Sequence, residues 1–308
     1  MRTTTRRGFL GSSLVAAAGF AVPSALGSWL ADGIATALGR APALGGQRSA
    51  SPGSTPRFEL GLASYSFREF DLDTTVAAAL RLSLRRIALK DVHLPLDSPE
   101  DVLRMTAEKI KAAGLDLYGC GVVYMTNEAE VDRAFAYAKT GGMRVIIGVP
   151  EHGLLGRAEA RVRETGIRLA IHNHGPGDLR YPTPGSILDL IGKLDGRIGV
   201  CLDVGHCRRS GLDPADEAVR CGPRLLDVHM KDVTAPSKDG LAVEVGRGII
   251  DVPRLLRALG AMGYQGTAAF EYEKDGRDPL PGLAESVGYV RGVLAGLGRR
   301  RDRPANGD

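Results

Sequence analysis

Four of the six histidines in this 308-residue chain stand between positions 172 and 229, and each has a carboxylate or another histidine within three residues. The runs are Ile171-His172-Asn173-His174, Leu202-Asp203-Val204-Gly205-His206 and Asp227-Val228-His229-Met230-Lys231, with Phe270-Glu271-Tyr272-Glu273 following further on. Imidazole nitrogens mixed with carboxylate oxygens suit Mn, Co, Zn, Fe or Mg better than copper(I) or a structural zinc. Burying several such groups uncompensated is costly, so a His/Asp/His/Glu cluster calls for a cation among its members. His172, Asp203, His229 and Glu271 are therefore the expected ligands of one divalent metal ion. An ion-pair network with no metal is the simpler competitor.

The chain must bring these runs together, and from Arg57 onward its pattern alternates strand and helix eight times. The strands read Phe58–Ser64, Arg86–Lys90, Leu115–Val123, Arg144–Val149, Ile167–His172, Ile198–Asp203, Leu225–Lys231 and Thr267–Glu271. Amphipathic helices are expected at Asp73–Leu82, Pro99–Ala113, Glu128–Thr140, Thr183–Leu194, Val252–Met262 and Leu283–Leu297. About 240 residues of this beat is the size of a single (β/α)8 TIM barrel, whose chemistry sits at the C-terminal ends of its strands. An open doubly wound sheet is the alternative, but Gly61-Leu62-Ala63-Ser64-Tyr65 does not supply the Gly-rich turn of its dinucleotide-binding form. Alternation along each strand then sorts the side chains. Leu226, Val228 and Met230 face the helices, which turns Asp227, His229 and Lys231 inward. The same parity sends His172, Asp203 and Glu271 to the inner rim, with His174 just beyond and Lys90 ending the second strand.

At these residues the chain resembles the xylose isomerase-like barrel superfamily of sugar isomerases and epimerases. The resemblance runs from about Leu60 to Leu297, strongest from Ile171, and includes Val245-Gly246-Arg247-Gly248-Ile249-Ile250-Asp251. It implies a divalent metal held from strands five to eight, at the places of His172, Asp203, His229 and Glu271. One departure lies on strand five, where epimerases of the group carry Glu and this chain has His172-Asn173-His174. The family's strand-five carboxylate often serves as an acid or base, so the change weakens the case for two-base epimerisation and keeps elimination in contention. In this setting a metal chelating a carbonyl and the neighbouring hydroxyl stabilises the enediolate formed when the intervening C–H loses its proton. Glu271 is the candidate base, His174 or His206 the second proton carrier, and Lys90 or Lys231 an acid near the developing oxyanion. Lys90 has the competing role of an ion pair with Asp91, and His206 that of orienting Asp203. Glu151, His152 and Glu273 also reach the rim. The expected function is thus a metal-dependent sugar isomerase or epimerase; a keto-sugar lyase or dehydratase is second, and a non-catalytic sugar-binding barrel third.

Partners follow from charge. The first fifty residues carry +4 and the last ten +2 of a whole-chain +4, so residues 51–298 stand at −2 and offer no footprint for a polyanion. Nucleic acid is not an expected partner, and a small sugar or keto-sugar is. A phosphorylated sugar has one candidate loop, Gly246-Arg247-Gly248. Residues 1–56 read as a twin-arginine signal and linker: Arg6, Arg7, Phe9 and Leu10 precede a short run from Ser13 to Leu26. Gly19, Pro23, Gly27 and Asp32 break that run before it reaches a bilayer's width, so no stable membrane insertion is expected once the signal is removed. The expected destination is the periplasm or the exterior, with residues 299–308 a disordered basic tail. Cys120, Cys201, Cys207 and Cys221 read as small buried hydrophobes, with a Cys207–Cys221 bridge the alternative.

Overall fold

A computed structural model describes residues 57–299; the expected signal segment, and the expected tail beyond Arg299, lie outside them. Eight parallel strands close a barrel: β1 (Glu59–Ala63), β2 (Arg86–Leu89), β3 (Asp116–Met125), β4 (Val145–Pro150), β5 (Arg168–His172), β6 (Ile198–Asp203), β7 (Leu225–Met230) and, after two minor strands, β10 (Thr267–Phe270). Each pairs with its neighbour in sequence, and β1 closes on β10. The barrel helices are α1 (Leu72–Arg81), α2 (Glu100–Ala112), α3 (Glu128–Thr140), α4 (Leu155–Thr165), α5 (Pro184–Ile191), α7 (Pro214–Cys221), α8 (Val252–Ala261) and α9 (Pro279–Arg299). Their apolar faces meet the outward side chains of the strands in one continuous core that includes Ile87, Ile146, Val200, Val228 and Phe270.

Local chemistry sets the boundaries. Asp71 and Asn127 cap α1 and α3 by accepting from the backbone N–H three residues on, and Thr183 forms a reciprocal capping box with Ser186 at the start of α5. α9 begins four residues before the expected Leu283 and ends at Arg299, within the expected tail. Pro279 and Pro281 occupy its first turn, where a missing N–H costs nothing. β3 outruns its expected end because Tyr124 and Met125 continue the ladder against Val149 and Pro150, past a register shift after Cys120. Two features interrupt the strand–helix beat. A short helix, α6 (Val204–Arg209), follows β6 directly, and β8 (Asp232–Val233) pairs antiparallel with β9 (Ala242–Val243) after β7.

Below the rim the barrel lumen is polar in part. Cys201 Sγ donates to Asp227 Oδ1 at 3.9 Å, and burial pushes the Asp227 carboxyl up to about 7 and the Cys201 thiol up to about 12. All four cysteines are free and buried, as expected of small hydrophobes, and Cys207 and Cys221 form no bridge.

Candidate metal centre

Register places the site. His172 on β5 is level with Cys201 on β6; Asp203, one inward position higher, is level with His229 on β7; and His229 is level with Ala269 on β10, two residues before Glu271. Glu271 stands just past the end of its strand, where its N–H donates to the Met230 carbonyl at 3.3 Å. One donor atom from each of His172, Asp203, His229 and Glu271 lies within 4.8 Å of the others, and all four residues are buried. The contacts are closer still: His172 Nε2 to His229 Nδ1 3.2 Å, His229 Nδ1 to Glu271 Oε2 3.1 Å and His172 Nε2 to Asp203 Oδ2 3.4 Å.

Those spacings suit a shared cation. With metal–ligand bonds of about 2.0–2.2 Å, neighbouring donors on a tetrahedral or octahedral ion stand about 3.0–3.5 Å apart. Asp203 Oδ2 is buried without a hydrogen bond among the described residues, with only the charged or ring nitrogens of Lys231 and His172 beside it, an arrangement a cation would satisfy. The residues present therefore fit a divalent metal.

A fifth group lies against the same oxygens. Lys231 Nζ is 3.1 Å from Asp203 Oδ2, 2.8 Å from Glu271 Oε2 and 2.7 Å from Glu273 Oε1. Against the effect of their burial, this ammonium holds the carboxyls of Asp203 and Glu271 well below their ordinary range. The three carboxylates in turn hold Lys231 well above its own despite burial, and Cys201 followed by the Glu271 carboxylate raises His229 against the same effect. Burial drives His172 the other way, down to about 3, so it stands as a neutral donor.

The remaining candidates form a second ring. His174 packs against the His172 ring with centroids 4.5 Å apart, and burial followed by the neighbouring His206 lowers its pKa. His206 lies 6.0 Å from the His172 ring; its backbone N–H donates to Asp203 Oδ1 at 2.7 Å, a cap made by the main chain and not by the imidazole. Lys90 is spent elsewhere, on the Val122 carbonyl at 2.6 Å and Asp91 at 3.3 Å, and makes no contact with the four donors. Glu151 pairs with Arg180, and His152 Nε2 meets the Arg180 carbonyl. Gly246-Arg247-Gly248 is no phosphate loop. The N–H groups of Gly246 and Gly248 donate to Asp232 Oδ2 at 2.9 and 3.1 Å, so the carboxylate occupies the donors a phosphate would need.

Two site residues escape a reading by motif. Asn173 clamps Asp203 from both sides, its Oδ1 accepting from the Asp203 N–H at 2.9 Å and its Nδ2 donating to the Asp203 carbonyl at 3.2 Å. Its place between two histidines was the only signal. Tyr124, near the end of β3, sets its hydroxyl 2.9 Å from His174 Nε2. Nothing in Val123-Tyr124-Met125 marks it, because only the register shift and the ladder beyond bring it to the rim.

Residues 154–293 match the family model described as the xylose isomerase-like TIM barrel. That stretch holds all four donors, and the match supports the family. Among curated proteins the chain is similar to the rhizopine catabolism protein MocC of Rhizobium meliloti, 29% identical over 144 residues, or 42% of this chain and 44% of that protein. It is also similar to the inosose dehydratase of Lacticaseibacillus casei, 30% identical over 138 residues, 39% of this chain and 45% of the relative. The matches thus span less than half the length of these curated relatives. Among solved structures, that of an L-ribulose 3-epimerase superposes with a TM-score of 0.63 at 16% identity, covering 80% of this chain and all of that one, a likeness of fold.

Proposed function

We propose that this protein is a metal-dependent enzyme that removes the proton next to the carbonyl of a sugar or a sugar-like cyclic ketone. The convergence of His172 Nε2, Asp203 Oδ2, His229 Nδ1 and Glu271 Oε2 at the spacing of a coordination shell is the observation that carries this reading. A divalent ion held there supplies the positive charge that stabilises an enediolate. The chain's own residues do the rest. Glu271 contacts Lys231 and His229 through Oε2, which leaves Oε1 free of such contacts among the described residues and able to take the proton. His174, backed by the Tyr124 hydroxyl, is the second proton carrier. Isomerisation or epimerisation follows when that proton returns to the neighbouring or the same carbon. A second reading, loss of a β-hydroxyl as water, has its own support: the chain is 30% identical to an inosose dehydratase over 138 residues, and His172, if it ligates the metal, lacks the free carboxylate of a two-base epimerase.

The test is hydrogen exchange. Incubated in deuterated solvent with ketoses and inososes and metal-loaded, the protein exchanges the substrate's α-hydrogen; product NMR separates isomer, epimer and dehydrated product. Glu271→Gln, with its metal content measured separately, loses that exchange by about 10²–10⁴-fold. A variant that keeps its metal and exchanges at the wild-type rate rules Glu271 out as the base. Sugar binding without exchange by the metal-loaded wild type points instead to a binding barrel. We further propose export by the twin-arginine route, supported by Arg6-Arg7-Gly8-Phe9-Leu10.

A further inference from the structure

Among the described residues Lys231 is the one lysine or arginine whose nitrogen touches two of the proposed metal ligands, and it also touches a third carboxylate that is not among them. Asp203 Oδ2 and Glu271 Oε2 carry this contact, at 3.1 and 2.8 Å, and both are needed by the metal. An ion bonded to Glu271 Oε2 at about 2.1 Å lies within about 5 Å of an ammonium 2.8 Å from the same oxygen. In a site this buried, a 1+ and a 2+ charge at that range repel strongly. The lysine also competes for the lone pairs the metal requires. It has somewhere to go: Glu273 Oε1 already holds Nζ at 2.7 Å and belongs to a half-buried side chain reached from outside the tetrad.

We infer that Lys231 is a tethered counter-ion that neutralises the ligand carboxylates before metal enters, and that Glu273 is the seat onto which its ammonium withdraws when the ion binds. The inference rests on the proposed metal site and adds a device to it. Glu273 is then a positioning residue for Lys231, tuning how tightly metal is held while donating nothing to the ion. Because Lys231 neutralises Asp203 and Glu271, the barrel rim folds without metal; because it can leave, the site remains able to load.

A double-mutant cycle on the full chain tests this. Wild type, Lys231→Met, Glu273→Gln and the double variant are stripped with chelator, checked for folding by circular dichroism and titrated calorimetrically with MnCl2 and, separately, ZnCl2. Lys231→Met is expected to bind metal at least 10-fold more tightly than wild type. Glu273→Gln is expected to bind about 5–10-fold more weakly, and that loss shrinks to under about 2-fold once Lys231 is gone, since Glu273 acts only through the lysine. Should Lys231→Met not fold, Lys231→Gln takes its place in the cycle with the same expectation. An equal loss from Glu273→Gln in both backgrounds, or no gain in affinity from removing the lysine, overturns the inference while leaving the metal site standing. A wild-type protein that binds neither ion overturns both together.

Discussion

Asp203 shows how much of this site rests on single side chains. Its N–H and carbonyl are held by Asn173, its Oδ1 accepts from the His206 N–H, and its Oδ2 lies beside His172 and Lys231. Removing it deletes a donor and leaves Lys231 with one fewer carboxylate, so Asp203→Ala, like His229→Ala, is expected to weaken metal binding more than about 100-fold. Asn173→Ala keeps all four donors but frees the strand end that aims Asp203. Its expected loss is smaller, about 10–100-fold. Metal analysis after dialysis, with folding followed by circular dichroism, checks the series. Near-stoichiometric metal in Asp203→Ala and His229→Ala would place the site elsewhere.

At the scale of elements, the rim segments after the strands are fastened by buried acids. Asp232, at the start of β8, takes N–H groups from Val233, Gly246, Gly248 and Ile250, which explains the glycine at 248: a Cβ there would stand 2.1 Å from Asp232 Oδ1. Glu244, just after β9, accepts from Lys274 Nζ at 2.8 and 3.0 Å and from the Tyr272 hydroxyl at 2.9 Å, tying this segment to the one after β10. The Lys274 ammonium, helped by Tyr272, lowers the Glu244 carboxyl from 4.5 to about 2. A carboxyl depressed in the folded state adds stability that is complete above pH 4.5 and fades as pH falls towards 2. On that footing Glu244→Gln is expected to cost on the order of 1 kcal/mol at pH 7. The wild-type excess should shrink on acid titration between those two values, as read from urea midpoints. A cost that does not change with pH over this window would show that the Glu244 charge does not anchor the segment.

For the whole molecule, a ligand that binds only the folded barrel stabilises it by mass action. Metal at 100 times its dissociation constant adds about 2.7 kcal/mol, which for a domain of this size raises Tm by roughly 5–10 °C. Thermal melts of chelator-treated protein with and without added Mn or Zn measure this. The shift should vanish in Asp203→Ala, and an identical Tm with and without metal in the wild type speaks against a folded-state site. The proposed export is the other question that belongs to the entire chain. Replacing Arg6 and Arg7 together by lysine is expected to leave precursor in the cytoplasm, and undiminished delivery of the double variant counts against the twin-arginine route.

The eight-fold beat of strands and helices, and with it the closed barrel, was legible in the residues because hydrophobic periodicity and capping chemistry are local. Alternation within a strand is local too, and it put His172, Asp203, His229 and Glu271 on one inner rim, where the structure brings them to within 4.8 Å of one another. What passes between strands was not legible. Tyr124 reaches His174 through a shift of register, Asn173 finds Asp203 across a ladder, and Asp232 fills a glycine loop that reads like a phosphate site. Lys231 and Lys90 look alike as rim lysines, yet one lies among three carboxylates and the other against a backbone carbonyl and Asp91. A side chain's period follows from its own segment, whereas its partner depends on where other segments stop, and only the closed barrel decides that.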